Sequence, residues 1–194
     1  MNSNDEVLVV GIDAALANMG FIKVAVDPKT LKVKRVVALL VAQTEPGEDE
    51  VAHVNHDRLR RARDLLQEMR AFCYGARIAC AEVPEGSKSA NAAWALGLAT
   101  GLLAACSLPM VEVRPVEVKK ASTGSKTASK DDIINWAVGL FPDAPWMKQG
   151  GRVLKKNEHA ADALAAIYAA LQKPKFVNFV SSHPVQSERR RLQA

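Results

Sequence analysis

The chain has 194 residues, 48% apolar and 24% charged, with a formal net charge of +5. That composition is globular and gives one substantial core, with a single domain and a short tail as the expectation. With an acidic opening, MNSNDEV, followed only by VLVVGI, neither a signal peptide nor an anchor is expected. Three cysteines, Cys73, Cys80 and Cys106, form no C-x-x-C pair and point to reduced thiols in a cytoplasmic protein.

In chain order, residues 6–13 (EVLVVGID) read as a buried strand from their β-branched run. FIKVAVD (21–27) and VKRVVALLV (33–41) are two more, separated by turn material at residues 17–20 and 27–30, so the three make an antiparallel meander. HDRLRRARDLLQEMRAF (56–72) is an amphipathic helix with Leu59, Ala62, Leu65, Leu66 and Met69 on one stripe. RIACAE (77–82) is a short core strand, PEGSKS a loop, and residues 89–106 an alanine and glycine helix. That helix contains Gly97-x-x-x-Gly101, but it is short for a bilayer span and gains little from lipid. It is expected to be buried, packed through its small residues against the sheet or a second subunit.

MVEVR (110–114) is a fifth strand. Ser129, with Asp132 three residues on, caps a helix that runs to Leu140, and a loop through Gly150-Gly151 leads to a last helix over 157–171. The element order β-β-β-α-β-α-β-α-α is that of a ribonuclease H-like α/β fold: a mixed five-stranded sheet flanked by helices. Residues 1–172 form the domain, and 173–194 form a basic tail that carries four of the five net positive charges. Locally, Arg114, Lys119, Lys120, Lys126 and Lys130 outnumber Glu117. Lys148, Arg152, Lys155 and Lys156 have no acid among them, and such clusters suit a polyanion.

Two acids stand where charge is costly. Asp13 and Glu82 each close an apolar strand, and in this fold the first and fourth strands are neighbours, so their carboxylates repel unless a cation lies between them. His159 and Asp162, three apart on one helical face, add an imidazole and a third carboxylate. Such an oxygen-rich set with one nitrogen suits Mg²⁺ or Mn²⁺ rather than zinc. Two ions about 4 Å apart would serve phosphodiester cleavage.

These residues resemble the RuvC Holliday junction resolvases, metal-dependent endonucleases of the ribonuclease H-like superfamily. GID with Gly20 resembles the family's opening segment, AEVP its glutamate-bearing strand end, and HAADALAAIYAA its closing helix; the match spans roughly 6–172. The resemblance implies catalytic and metal-binding roles for Asp13, Glu82, His159 and Asp162. In VKKASTGSKTASK (118–130) it implies that Lys119 and Lys130 assist catalysis and hold phosphate. Lys120, Lys126, Lys148, Arg152, Lys155 and Lys156 are the further DNA-binding candidates.

Gly124-Ser125-Lys126-Thr127 imitates a phosphate loop but lacks its glycines, so nucleotide binding is not expected there. Two departures stand out: Ala14-Ala15 replaces Pro-Gly, and Glu85 replaces an aromatic wedge, which an acid cannot imitate on a base. The expectation is therefore a divergent bacterial or phage-encoded nuclease for branched DNA, without a membrane partner, dimeric through the 89–106 helix. Cleavage of flaps or RNA–DNA hybrids, and a catalytically silent DNA-binding module, are the alternatives. A kinase of the actin type, whose first hairpin also reads G-I-D, needs a second lobe for which this length has no room.

Overall fold

The computed structural model describes residues 6–47, 50–87 and 89–182. The meander forms as expected: β1 (Val7–Asp13), β2 (Asn18–Val26) and β3 (Val33–Gln43) pair antiparallel in sequence. Helix α1 (Glu50–Cys73), broken near its start at His53, crosses back to β4 (Ile78–Glu82), which lies parallel to β1. Helix α2 (Ala90–Ala104) then leads to β5 (Met110–Val113), parallel to β4, and the sheet order is β3-β2-β1-β4-β5. Cys73, Cys80 and Cys106 are free thiols.

Strand alternation divides the core in two. Val7 and Val9 face one side with Ile22, Val24 and Cys80, whereas Val10 and Ile12 face the other with Met19, Phe21, Leu65 and Met69. The second side is covered by α1 and α2. On α1, Ala62, Leu65 and Met69 are buried as the stripe predicts, but Leu59 is 47% exposed because it lies beyond the sheet contact.

The Ala/Gly helix is not buried as expected. Among its residues only Ala99, Leu102 and Leu103 are buried, because α2 rests on one narrow stripe; Gly97 and Gly101 face open space. Among the described residues no helix is long and apolar enough to cross a membrane.

Four elements escape the sequence pattern. Helix α3 (Pro115–Thr123) starts on a proline and ends at Gly124 in the left-handed region, φ 77°, which explains the glycine of the false phosphate loop. Helix α4 (Lys130–Leu140) carries the expected Ser129–Asp132 capping box. Strands β6 (Lys148–Gln149) and β7 (Arg152–Val153) form a small hairpin where a loop was expected. Finally, α6 (Pro174–Ser182) follows α5 (Glu158–Ala170) and corrects the boundary of a tail at Lys173. Phe176 and Val180 are buried in the core, and Lys173 and Lys175 pair with Glu117 and Glu112 at 2.6 and 2.8 Å. The basic residues 189–191 lie outside the described residues.

The alanine-rich α5 is the hub of the first core. Nine of its residues are buried, seven of them alanine, so the helix backbone can lie close on the sheet. The sheet answers with two glycines. A Cβ on Gly11 would sit 2.1 Å from the Ala163 carbonyl oxygen, and one on Gly20 would sit 2.2 Å from that of His159. Both obstacles are backbone, so neither can swing aside. Gly20→Ala is expected to cost about 1–3 kcal/mol or more through overpacking. Gly139→Ala, where nothing lies within 4 Å, should instead gain up to about 1 kcal/mol of helix stability. Urea denaturation of the two variants checks the contrast.

Candidate active site

The site is built on the carboxyl ends of β1 and β4. Asp13 and Glu82 are register partners in this parallel pair, so both side chains leave the same face of the sheet, the one that Gly11 turns to α5. Gly20 is Asp13's partner on the other side, on β2, and its missing side chain lets the first turn of α5 settle above it. That contact delivers His159 to Asp13, with Nδ1 2.9 Å from Oδ2. Asp162, one turn on, comes within electrostatic reach of the same carboxylate.

Electrostatics report the crowding. Burial, then the charges of Asp13 and Asp162, pushes the Glu82 carboxyl up to about 7, against an opposing pull from Lys119. Burial and Asp13 raise Asp162 to about 6, with Lys130 and His159 pulling it down. The hydrogen bond to Asp13 raises His159 despite the desolvation of its ring. The structure brings the sequence-derived candidates Asp13, Glu82, His159, Asp162, Lys119 and Lys130 into one neighbourhood. Lys120, Lys126, Lys148, Arg152, Lys155 and Lys156 are exposed, and Lys156 donates to Gln43 at 3.0 Å.

One member was missed. Glu158 accepts from Lys130 Nζ at 2.8 Å with one oxygen, and its other oxygen lies 3.5 Å from His159 Nε2. Its only signal in the sequence was adjacency to His159. It gives Lys130 an anionic partner and raises that ammonium's pKa.

The donor set fits a hard divalent cation. Three carboxylates and an imidazole face one another, and two of the acids hold protons more tightly than usual because they are buried and beside like charges. Among the described residues no three such donors already close into a metal cage, and Nδ1 of His159 is engaged by Asp13. The fit is therefore one of donor chemistry and of placement around the ends of β1 and β4.

A mixed sheet in this order, with acids ending β1 and β4 and α5 laid across them, defines a ribonuclease H-like domain. No protein-family model matches the chain. Individual relatives do. It is 31% identical over 173 residues to the crossover junction endodeoxyribonuclease RuvC of Rickettsia typhi, covering 87% of this chain and 99% of that one. It is 30% identical over 164 residues to the RuvC of Synechococcus sp., covering 81% and 93%.

Among solved structures, Thermus thermophilus RuvC in complex with a Holliday junction substrate superposes with a TM-score of 0.59 at 26% identity, over 84% of this chain and 92% of that one. The yeast mitochondrial Holliday junction resolvase, at 11% identity and a TM-score of 0.57 over 90% and 82%, shares the fold. The chain belongs to the RuvC family of crossover junction endodeoxyribonucleases.

The raised acids have a consequence for stability. Glu82 and Asp162 bind protons more tightly folded than unfolded, so their contribution is favourable at low pH and is lost as pH rises through about 6 and 7. His159, also raised, loses its contribution in the same direction. Without divalent cations, Glu82→Gln is expected to be more stable than the parent at about pH 8, by on the order of 2 kcal/mol, and to match it near pH 5. Adding Mg²⁺ should raise the melting temperature of the parent more than that of the variant. Denaturant titrations in chelator and thermal melts in Mg²⁺ measure both.

Proposed function

We propose that this chain is a Mg²⁺- or Mn²⁺-dependent, structure-selective endonuclease that hydrolyses phosphodiester bonds in branched DNA, four-way junctions foremost. The observation that carries the proposal is the register pairing of Asp13 with Glu82 under His159 and Asp162. Asp13, Glu82, Asp162 and His159 are the metal ligands. Bound there, a pair of ions would supply the Lewis acidity that activates water and steadies the leaving oxygen.

The rest falls to the chain's own groups. Lys119, facing Glu82, and Lys130, facing Asp162, present positive charge on two sides of the carboxylates and hold the scissile phosphate. Lys130 must leave Glu158 to do so, exchanging one oxyanion for another. In the hydrolysis, a water oxygen joins phosphorus as one ester P–O bond breaks, and the departing oxygen takes up a proton. Lys120, Lys126, Lys148, Arg152, Lys155 and Lys156 bind flanking phosphates, contacts that weaken as salt rises.

Exposed Glu85 favours a second reading within the same chemistry, because it puts an acid where the family has a stacking aromatic; flaps and RNA–DNA hybrids are then substrates as well. Asp13→Asn is expected to bind a synthetic four-way junction with near-parental affinity and to cut it at least about 10³-fold more slowly. Undiminished cutting would refute the assignment. Running the parent enzyme on matched duplex, flap, junction and hybrid, with and without metal, separates the two substrate readings.

The enzyme acts as a homodimer through α2, in the cytoplasm of a bacterium or of a phage's host. What supports the interface is the uncovered face of α2. There Trp94 is 50% exposed with Arg58 stacked over its ring, 5.6 Å from the centroid, and Gly97 leaves room for a second backbone. Trp94→Glu should yield a monomer by light scattering while leaving the circular dichroism unchanged.

A further inference from the structure

The β6–β7 hairpin carries two of the flanking-phosphate candidates, Lys148 and Arg152, but none of the acids of the site. Its two central residues, Gly150 and Gly151, have φ of 55° and 78°, the pair of left-handed values that a tight hairpin turn of matching twist demands. The tip is therefore backbone alone.

Register places the flanking charges. Gln149 pairs with Arg152 and Lys148 with Val153, and cross-strand partners share a face of the ribbon while neighbours along a strand do not. Arg152 thus stands on one face and Lys148 on the other, and both are exposed. A ribbon meant to lie flat along one strand would carry its cations on one face. One cation per face suits a space between two phosphate walls.

The base of the hairpin is fixed. Asn157, fully buried, accepts from the Met147 N–H at 3.0 Å and donates to the carbonyls of Met147 and Leu154 at 2.9 and 2.8 Å. It thereby ties both legs together. Trp146 is buried beside it and donates Nε1 to the Phe141 carbonyl at 2.7 Å. Asn157 is followed directly by Glu158 and His159, so the hairpin cannot shift without moving the first turn of α5 and the site it carries.

We propose that this hairpin inserts its glycine tip into the minor groove of a duplex arm, with Lys148 and Arg152 meeting the phosphates of opposite walls, and so sets the distance between the gripped arm and the cut. The major groove, about 12 Å wide, admits a two-stranded ribbon with its side chains, whereas the minor groove is only about 6 Å wide and has room for little beyond backbone. A tip free of side chains matches the narrower one. The proposal rests on the branched-DNA reading above, and the test separates the two.

Hydroxyl radicals attack the deoxyribose hydrogens that line the minor groove. With Asp13→Asn on a four-way junction, a short protected patch is expected in one arm, removed by the added pair Lys148→Ala and Arg152→Ala. That pair should also weaken binding roughly tenfold and make the log-log salt dependence shallower by about two. In the cutting-competent background the same pair should scatter the cleavage position along the arm. An unchanged footprint and an unchanged cut position in the variant would overturn the hairpin's role while leaving the nuclease assignment intact. A footprint that depends on the hairpin in a protein that never cuts would sink the nuclease assignment instead. Protection confined to major-groove contacts, read by guanine N7 methylation, would also overturn the proposal.

Discussion

The close approach of α5 to β1 and β2 governs everything else in this molecule. At Gly11 and Gly20 the helix backbone meets the sheet backbone at distances that no side chain would permit. Alanines along the buried side of α5 keep the two surfaces in contact over the helix's length. Ordinary helix-on-sheet packing, cushioned by leucines, would hold the helix farther off. The missing ångströms are what bring His159 within a hydrogen bond of Asp13 and Asp162 within its field.

That economy of volume has an electrostatic cost. Glu82 at the end of β4 and Asp162 on α5, buried and facing like charges, hold their protons into the neutral range because ionisation there is unfavourable. A fold selected for stability alone would place an amide or an apolar group at one of these positions. The chain instead surrounds the acids with compensating groups of graded strength: His159 on Asp13, Lys119 toward Glu82, and Lys130 held between Glu158 and the acids beyond. Such a site is strained in the absence of cations, and positive charge from metal or from the lysines relieves it.

Around this centre the periphery divides by face. The exposed face of α2 is apolar, with Trp94 and the two open glycines uncovered. The approach to α5 is basic and polar, running through the hairpin and the short 3₁₀ turn Lys155–Asn157. Asn157 joins the second region to the start of α5, because its buried amide satisfies loop backbone that would otherwise lie unpaired.

Much of this was legible in the letters. The strands were legible in β-branched apolar runs and turn residues, and the four metal-binding candidates stood out because acids at the ends of apolar strands and an i, i+3 pair on an alanine helix are costly or odd unless used. Helices α3 and α6 stayed hidden. The first is a short lysine-bearing segment with little apolar periodicity, and the second reads as a basic tail until Phe176 and Val180 are seen to find a core. Glu158 had no signal beyond its neighbour, and the hairpin at 148–153 was too short to mark a strand. What the sequence determined by itself was which elements form and which residues are too expensive to be idle, since propensity and burial act locally along the chain. Only the tertiary structure decided which of them meet: the close approach of the Ala163 carbonyl to Gly11, a shared register of Asp13 with Glu82, or the bridge from Lys130 through Glu158 to His159 depends on how segments distant in sequence are stacked.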